Sequence, residues 1–346
     1  MPPNKTQHSE DNLMDRFDRA GLRRFRARDA IIAVAIGAAI LILAAGGSIR
    51  RAGNGMRSGI GRDAVLAVGD PAGWLAGGLP VQHAAHVLTN WLSPNLNLNG
   101  FVGFTTTTAT TAAAGSIPPV TPDAFNPSTI GAPAPARQPL HTLLVTGDSM
   151  SEPLDQDLAQ ALVPDGIKVD QDPHIGTGIS STILVDWGKL SAYQVRHDHP
   201  NAIVVFIGAN DGYSMPGPGG RQVSCCSVEW ATIYAQRVRE MMNTYREAGA
   251  ARVYWLTLPT PRDPARAKIS LVVNAAIQVA AEPWRDQIRV IDTVPVFTPG
   301  NHYRDAMPVN GEPTIVRESD GIHLNDAGSE VAAKLVLGYI EKDFTR

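Results

Sequence analysis

Short apolar runs punctuate roughly the last three-fifths of the chain. Five of them are largely apolar without a clean alternation of apolar and polar residues. This is the pattern of parallel strands that are buried on both faces of a sheet. The five predicted strands cover residues 141–146, 167–170, 202–207, 252–258 and 288–291.

Between these runs, apolar residues recur at helical spacing. The clearest stretch is residues 229–247, where aromatic, methionine and aliphatic side chains share one face and Gly249 follows as a stop signal. Two further helices are predicted over about residues 264–281 and 325–341. Strands that alternate with helices predict a doubly wound α/β domain of three layers, α/β/α.

The N-terminal third has a different pattern. Residues 1–29 form a polar, arginine-rich tail, and residues 30–47 contain no charge. That run is at the lower limit of length for a membrane-spanning helix, and the arginines before it predict a cytoplasmic N-terminus. A buried core helix and a signal peptide cleaved near Ala44-Ala45-Gly46 are the alternatives.

Two connecting regions separate this run from the predicted domain. Residues 48–103 mix glycine, proline and apolar patches, and we assign them to a membrane-proximal region without recognisable chemistry. Residues 104–139 contain a Thr/Ala tract and then repeated prolines, which is typical of an extended, flexible stalk. The α/β domain is therefore expected over residues 140–346.

Composition narrows the function classes. The formal charge of −3 shows no basic excess of the kind that nucleic-acid binding needs. The only cysteines, Cys225 and Cys226, are adjacent, so there is no disulfide framework and no Cys-x-x-Cys metal motif. Because a disulfide between neighbouring residues is geometrically constrained, we predict two free thiols. No metal or cofactor is expected.

Candidate chemistry begins where the first predicted strand ends, at Gly147-Asp148-Ser149. In open α/β sheets, ligands bind outside the carboxyl ends of the strands, so Ser149 would stand at the mouth of a site. On its own the tripeptide also fits a serine that caps a helix.

Three more polar groups follow predicted strands or precede the last helix. A serine hydroxyl needs a base, which His323 can supply, and Asp320 lies three residues earlier, where it can orient the imidazole. The amides of Ser149 and Gly178 and the side chain of Asn210 could form an oxyanion hole. Gly176 is an alternative to Gly178 as the second donor.

Together these blocks resemble the SGNH (GDSL-type) hydrolase superfamily. The matching residues are Gly147-Asp148-Ser149, Gly178, Gly208-Ala209-Asn210-Asp211 and Asp320-Gly321-Ile322-His323. No Gly-x-Ser-x-Gly elbow surrounds Ser149, which argues against an α/β-hydrolase fold.

The resemblance implies a flavodoxin-like domain with a five-stranded parallel sheet, and esterase or acyl-transfer chemistry that needs no metal or cofactor. It also implies a Ser149–His323–Asp320 triad. The N-terminal run and stalk resemble those of bacterial envelope members. They imply a single-pass protein of the inner (cytoplasmic) membrane with its catalytic domain in the periplasm or outside the cell.

The resulting hypothesis is a serine esterase that removes short, acetyl-type groups from envelope carbohydrate. Gly/Pro-rich polar stretches flank the blocks, at residues 212–222 and 298–316, and offer few large apolar side chains for a fatty tail. Two alternatives remain: an acyltransferase that uses a sugar acceptor, and a catalytically silent binding module on the same fold.

Overall fold

The structure of the chain is a computed structural model, which describes residues 98–105 and 134–345 and, in addition, residues 63, 64 and 67. The predicted basic tail, the uncharged run at residues 30–47 and most of the two connecting regions lie outside the described residues. Within the described part of the chain, no helix has both the length and the apolar character needed to cross a bilayer.

A five-stranded parallel sheet forms the centre of the domain, which confirms the predicted fold. Its strands lie in the order β2-β1-β3-β6-β7, and two separate hairpins pair β4 with β5 and β8 with β9. The strands are β1 Thr142–Gly147, β2 Lys168–Pro173, β3 Ala202–Phe206, β4 Met215–Pro216, β5 Gln222–Val223, β6 Arg252–Leu256, β7 Ile288–Ile291, β8 Ala306–Val309 and β9 Glu312–Ile315.

Helices cover both faces of this sheet. The helices are α1 Glu152–Leu162, α2 Trp187–Asp198, α3 Val228–Tyr245, α4 Pro264–Ala281, the single turn α5 Val294–Phe297, and α6 Asp326–Asp343. Helix α1 packs against α6, whereas α2, α3 and α4 pack in a row. Right-handed crossovers place these two groups on opposite faces, which gives the predicted three layers.

Burial follows the reasoning that located the strands. Every residue of β3 and β6 is buried, and the outer strands β2 and β7 are only partly buried. Helices α2, α3, α4 and α6 begin where a capping side chain accepts from free backbone amides, whereas α1 and α5 have no such cap. Ser227 accepts from the amide of Trp230 at the start of α3, and Asn325 accepts from that of Gly328 at the start of α6.

The two hairpins were not predicted. Strands β4 and β5 have two residues each, too few to show any periodicity. Strands β8 and β9 are joined by Asn310-Gly311, and both residues have positive φ angles. An Asn-Gly pair is a strong hairpin signal, so this second hairpin could have been identified from the sequence.

The prediction of two free thiols is wrong. Cys225 and Cys226 form a disulfide in the loop before α3. The peptide bond between them is cis, and their Cα atoms are 3.1 Å apart.

Strand order locates the site. The chain adds strands to the sheet in two directions. From β1 it adds β2 on one side, and it then adds β3, β6 and β7 on the other, so the order reverses between β1 and β3. Such a reversal opens a crevice at the carboxyl ends of the two strands, and ligands bind there in doubly wound sheets.

Candidate active site

The nucleophile turn, residues 147–151, lies at this reversal. Gly147 has a φ of +148°, and a Cβ atom there would lie 2.0 Å from the carbonyl oxygen of Phe206. Only glycine allows β1 and β3 to approach so closely where they end. The chain then turns and presents the half-buried side chain of Ser149 in the crevice.

The carboxylate of Asp148 links this turn to the residues that follow β3. It is fully buried and accepts from the amide of Met150 at 2.9 Å and from those of Gly208 and Ala209 at 2.9 and 2.8 Å. Burial raises the pKa of Asp148 to about 6, although the hydrogen bonds from the amides oppose the shift. Asp148 belongs to the predicted Gly147-Asp148-Ser149 motif, but no role was predicted for its carboxylate.

The base turn, residues 320–323, meets the nucleophile turn across the crevice. His323 Nε2 lies 2.7 Å from Ser149 Oγ, and His323 Nδ1 lies 2.5 Å from Asp320 Oδ2. The other carboxylate oxygen of Asp320 accepts from the amides of Ile322 and His323 at 2.8 and 3.1 Å. The structure therefore brings together the three residues of the predicted triad.

Electrostatics favour an ionised Asp320 beside a basic His323. Burial raises the pKa of Asp320, but the hydrogen bonds from the His323 ring and the Ile322 amide outweigh it and hold that pKa well below its ordinary value. Burial lowers the pKa of His323, but the hydrogen bond and charge of Asp320 outweigh it, so the net shift is upward. An imidazole with a raised pKa is a stronger base for a serine hydroxyl.

Two arginines hold the base turn, and neither was predicted. Arg317 is 2% exposed and donates to the carbonyl oxygens of Ile322 and Gly321 at 2.9 and 3.3 Å. The amide of Arg262 donates to Gly321 at 2.9 Å, and a Cβ on Gly321 would lie 2.6 Å from the Cβ of Arg262. No local pattern marks either arginine. Arg262 is far from Gly321 in the chain, and the partners of Arg317, although only four and five residues away, are backbone carbonyls, which every residue type carries.

Two of the three residues predicted to form the oxyanion hole, Asn210 and Gly178, lie next to each other. Asn210 follows β3, and its Nδ2 atom is buried and has no hydrogen-bond partner in the described part of the chain. Leaving a buried donor unpaired costs free energy, so an unsatisfied amide in a crevice indicates an acceptor that arrives with a ligand.

Gly178 lies beside Asn210. A Cβ on Gly178 would be 2.8 Å from Asp211 Oδ1 and 3.4 Å from the carbonyl carbon of Asn210, so a side chain has no room there. Gly176 has the positive φ of this loop, +76°, and open space around it. These positions favour Gly178 over Gly176 as the residue that belongs with Asn210.

Asp211 holds the Gly178 loop in place. Its buried carboxylate accepts from the amide of Ser180 and from the hydroxyl of Tyr234, each at 2.6 Å. Burial raises the pKa of Asp211, although these hydrogen bonds oppose the shift. Asp211 belongs to the predicted Gly208-Ala209-Asn210-Asp211 motif, but no role was predicted for it.

A pocket with a mainly apolar lining lies beside the predicted site motifs. Its volume is about 340 Å³ with the open mouth included. Arg266 lines it and donates to the carbonyl oxygen of Ala209 at 3.0 Å. Local composition at the blocks did not reveal this pocket, because its lining comes from separate segments. The apolar lining comprises Met150, Ala209, Leu258, Pro259, Pro261, Ile269 and Ile322.

The described residues contain no group of three or more His, Cys, Asp or Glu side chains arranged to hold a metal ion.

Comparisons with known proteins identify a family of unassigned function. A family model described as "Protein of unknown function (DUF459)" matches residues 142–339, more than half of the chain. No curated protein matches the sequence.

Similar solved structures include enzymes that act on acyl groups. The C-terminal catalytic domain of peptidoglycan O-acetyltransferase A from Streptococcus pneumoniae is 12% identical with a TM-score of 0.36, and the match covers 60% of this chain and 95% of that one. The carbohydrate acetylesterase Est24 from Sinorhizobium meliloti is 15% identical with a TM-score of 0.37, covering 57% and 99%. A family two carbohydrate esterase from Clostridium thermocellum, in complex with cellohexaose, is 11% identical with a TM-score of 0.40, covering 60% and 66%.

Proposed function

The chain belongs to the SGNH-related DUF459 family, and we propose that it is a serine esterase that hydrolyses short acyl esters. The observation that carries this proposal is the hydrogen-bonded series Ser149 Oγ, His323 Nε2, His323 Nδ1 and Asp320 Oδ2, with its two spacings of 2.7 and 2.5 Å. A nucleophile, a base and a group that orients the base are what acyl transfer through a serine needs.

In the first half of the reaction, His323 Nε2 takes the proton of Ser149 as the hydroxyl oxygen attacks the ester carbonyl. Negative charge develops on the carbonyl oxygen, and we assign its stabilisation to the amides of Ser149 and Gly178 and to Asn210 Nδ2. Collapse of the tetrahedral intermediate breaks the ester C–O bond, and His323 returns the proton to the leaving alcohol. The acyl group is then bound to Ser149.

In the second half, His323 removes a proton from water, which attacks the acyl-enzyme and releases the carboxylic acid. The Ser149 oxygen leaves and recovers its proton from His323. The side chains of His323 and Asp320 are 28% and 43% exposed, so water reaches the base turn from solvent. This exposure supports hydrolysis over transfer to a second alcohol.

We assign the acyl group to the apolar pocket. Met150, Ala209 and Ile322 line it, and each is adjacent in sequence to Ser149, Asn210 or His323. Little of the space in this pocket lies inside its open mouth, which suits a short acyl chain.

For the alcohol part we propose a carbohydrate. The polar flanks of the blocks offer hydrogen bonds rather than an apolar groove. Tyr213, three residues after Asn210, is 57% exposed and offers an aromatic face. The inner-membrane location of this reaction, with the domain outside the cytoplasm, stays a prediction from the sequence.

The test is an ester series with the full-length chain, using acetyl, butyryl, octanoyl and palmitoyl esters and Ser149→Ala as the control. We expect kcat/KM to be highest for acetyl or butyryl and to vanish in the variant. A maximum at octanoyl or longer would overturn the short-chain assignment. Undiminished turnover by Ser149→Ala would overturn the serine mechanism itself.

A further inference from the structure

Residues 98–105, which we call the strap, pack onto the domain even though residues 106–133 separate them from its first described residue. At one end, the ring of Phe101 meets Tyr193 of α2 edge-on at 5.7 Å, and the guanidinium of Arg196 lies 4.8 Å from its centroid. At the other end, the amide of Thr105 donates to Glu240 of α3 at 3.0 Å. The strap therefore bridges α2 and α3.

Between these two ends, Phe104 packs closely against the start of α2. A Cβ atom on Gly188 would lie 2.7 Å from the amide nitrogen of Phe104, and one on Gly103 would lie 2.4 Å from a carboxylate oxygen of Asp186. Asp186 also caps α2 by accepting from the amides of Gly188 and Lys189. Gly188 thus lets the backbone of the strap lie directly on the start of α2, and Gly103 leaves room for the carboxylate of Asp186.

The ring of Phe104 lies against Arg237. The guanidinium carbon of Arg237 is 4.9 Å from the ring centroid, which is a cation–π distance. Arg237 Nη1 donates to the carbonyl oxygen of Ile179 at 2.8 Å. Ile179 is fully buried and directly follows Gly178.

The Gly178 loop is therefore held at two consecutive residues. Arg237 holds the carbonyl of Ile179, and Asp211 holds the amide of Ser180. Of these two groups, Arg237 depends on the strap for its position, because Phe104 covers the guanidinium.

We propose that Phe104 and Arg237 position the oxyanion hole. Phe104 fixes the guanidinium of Arg237, the guanidinium fixes the Ile179 carbonyl, and the Gly178 amide is thereby aimed at the developing oxyanion. This inference rests on the proposed function. Both residues are positioning residues, because neither touches the reacting atoms.

The strap supplies its own matched control. Phe101 is a phenylalanine that packs beside an arginine, as Phe104 does. Among the described residues, however, no hydrogen bond links Arg196 to the Gly178 loop, whereas Arg237 makes one. If the strap only added stability, losing either ring would have the same kinetic consequence.

The test compares Phe104→Ala, Phe104→Leu and Phe101→Ala in the full-length chain, with kcat, KM and Tm measured for each on an acetyl ester. We expect Phe104→Ala to lower kcat about tenfold, a fraction of the 10²- to 10³-fold loss for removing a whole oxyanion donor, with KM changed less than about twofold. Phe104→Leu keeps apolar volume without a ring face, so it should retain Tm and still lose kcat. Phe101→Ala should keep kcat within about twofold.

A double variant tests whether the effect passes through Arg237. Phe104→Ala combined with Arg237→Ala should have the same kcat as Arg237→Ala alone, because residues in one series of contacts are not additive. Additive losses, or equal kcat losses in the Phe101 and Phe104 variants, would overturn the inference.

Labelling of Ser149 by phenylmethylsulfonyl fluoride separates this inference from the proposed function. An unlabelled wild type would refute the activated serine and with it the proposed function. A labelled wild type whose Phe104→Ala variant reacts at the same rate would refute only the role of Phe104. The expected result is rapid labelling of the wild type, slower labelling of Phe104→Ala and unchanged labelling of Phe101→Ala.

Discussion

The nucleophile turn and the base turn each contain one aspartate, and the two aspartates have opposite surroundings. Asp148 is fully buried, accepts only backbone amides and has a pKa raised to about 6. Asp320 is 43% exposed, binds the His323 ring and has a lowered pKa. The comparison separates two tasks within one site: Asp148 holds the framework together, and Asp320 tunes the base.

The largest expected effect tests whether the two turns act as one unit. We predict that Ser149→Ala and His323→Ala each lower kcat by roughly 10⁴-fold or more, and that the double variant is no worse than either. The reason is that the hydroxyl is a poor nucleophile without the imidazole, and the imidazole has no proton to take without the hydroxyl. Ester hydrolysis by the three variants checks this.

The exposed His302 is a matched control for the second substitution, and His302→Ala should keep wild-type kcat. If the double variant were slower by the product of the two single losses, the turns would act independently.

A smaller loss is expected on the framework side of the comparison. Asn210 directly follows Ala209, whose amide Asp148 holds, and its Nδ2 donor is buried and unpaired. We predict that Asn210→Ala lowers kcat by about 10² to 10³, with little change in KM, because the donor acts mainly in the transition state. Steady-state kinetics on an acetyl ester measures both constants. A raised KM at unchanged kcat would make Asn210 a substrate-binding residue instead.

The effect of Asp320 on the pKa of His323 should appear in the pH dependence of kcat/KM. His323 must be neutral to act as the base, and Asp320 raises its pKa above the ordinary value of about 6.5. In the wild type, kcat/KM should therefore rise with pH through a midpoint above 6.5. We predict that Asp320→Asn moves this midpoint to lower pH and lowers kcat by about 10², because the imidazolium formed during the reaction loses its counter-charge. An unmoved acid limb would contradict the assignment.

The sequence predicted the candidate catalytic residues better than the residues that hold them in place. Ser149, His323, Asp320 and Asn210 were identifiable because each follows a strand or precedes a helix within a short block. Arg237 was not, because it acts on a backbone carbonyl of a segment far away in the chain, and a carbonyl leaves no trace in a sequence. Arg317 was not either, although its carbonyl partners Gly321 and Ile322 lie only four and five residues ahead. The disulfide between Cys225 and Cys226 was missed for a local reason, since the adjacency of the two cysteines was taken as evidence against it.

The fold was likewise predictable only in part. The central strands were predictable because burial on both faces demands continuous apolar runs, as in β3 and β6. Strand β2 was predicted at residues 167–170 but continues to Pro173 with polar residues, because it lies at the edge of the sheet. The docking of the strap could not be predicted, because residues 98–105 carry two isolated aromatics and no periodic pattern.

The smallest expected kinetic effect, and the sharpest test of the comparison, comes from Asp148→Asn. The new amide group would bring a donor to a place where three backbone amides already donate, so at least one of those amides loses its acceptor. An unsatisfied buried donor costs about 1–3 kcal/mol, and each kcal/mol lowers Tm by roughly 2–4 °C for a domain of this size. We predict a lowered Tm and a kcat loss smaller than that of Asn210→Ala. Asp320→Asn should lower Tm less, because Asp320 is 43% exposed and solvent weakens its interactions there.

The pH dependence of stability tests whether Asp148 is a source of the Tm effect, beside Asp211, whose pKa burial also raises. Its pKa in the folded protein, about 6, lies above the value of about 3.8 in the unfolded chain, so between these values the folded state holds a proton that the unfolded state releases. The stabilising contribution of this group is complete below about pH 4 and is lost as pH rises through 6. Thermal unfolding from pH 4 to 7 should therefore show a downward slope in the wild type and in Asp320→Asn, and a weaker slope in Asp148→Asn. If Asp320→Asn lost the slope and Asp148→Asn kept it, the two aspartates would have the reverse of the tasks assigned to them.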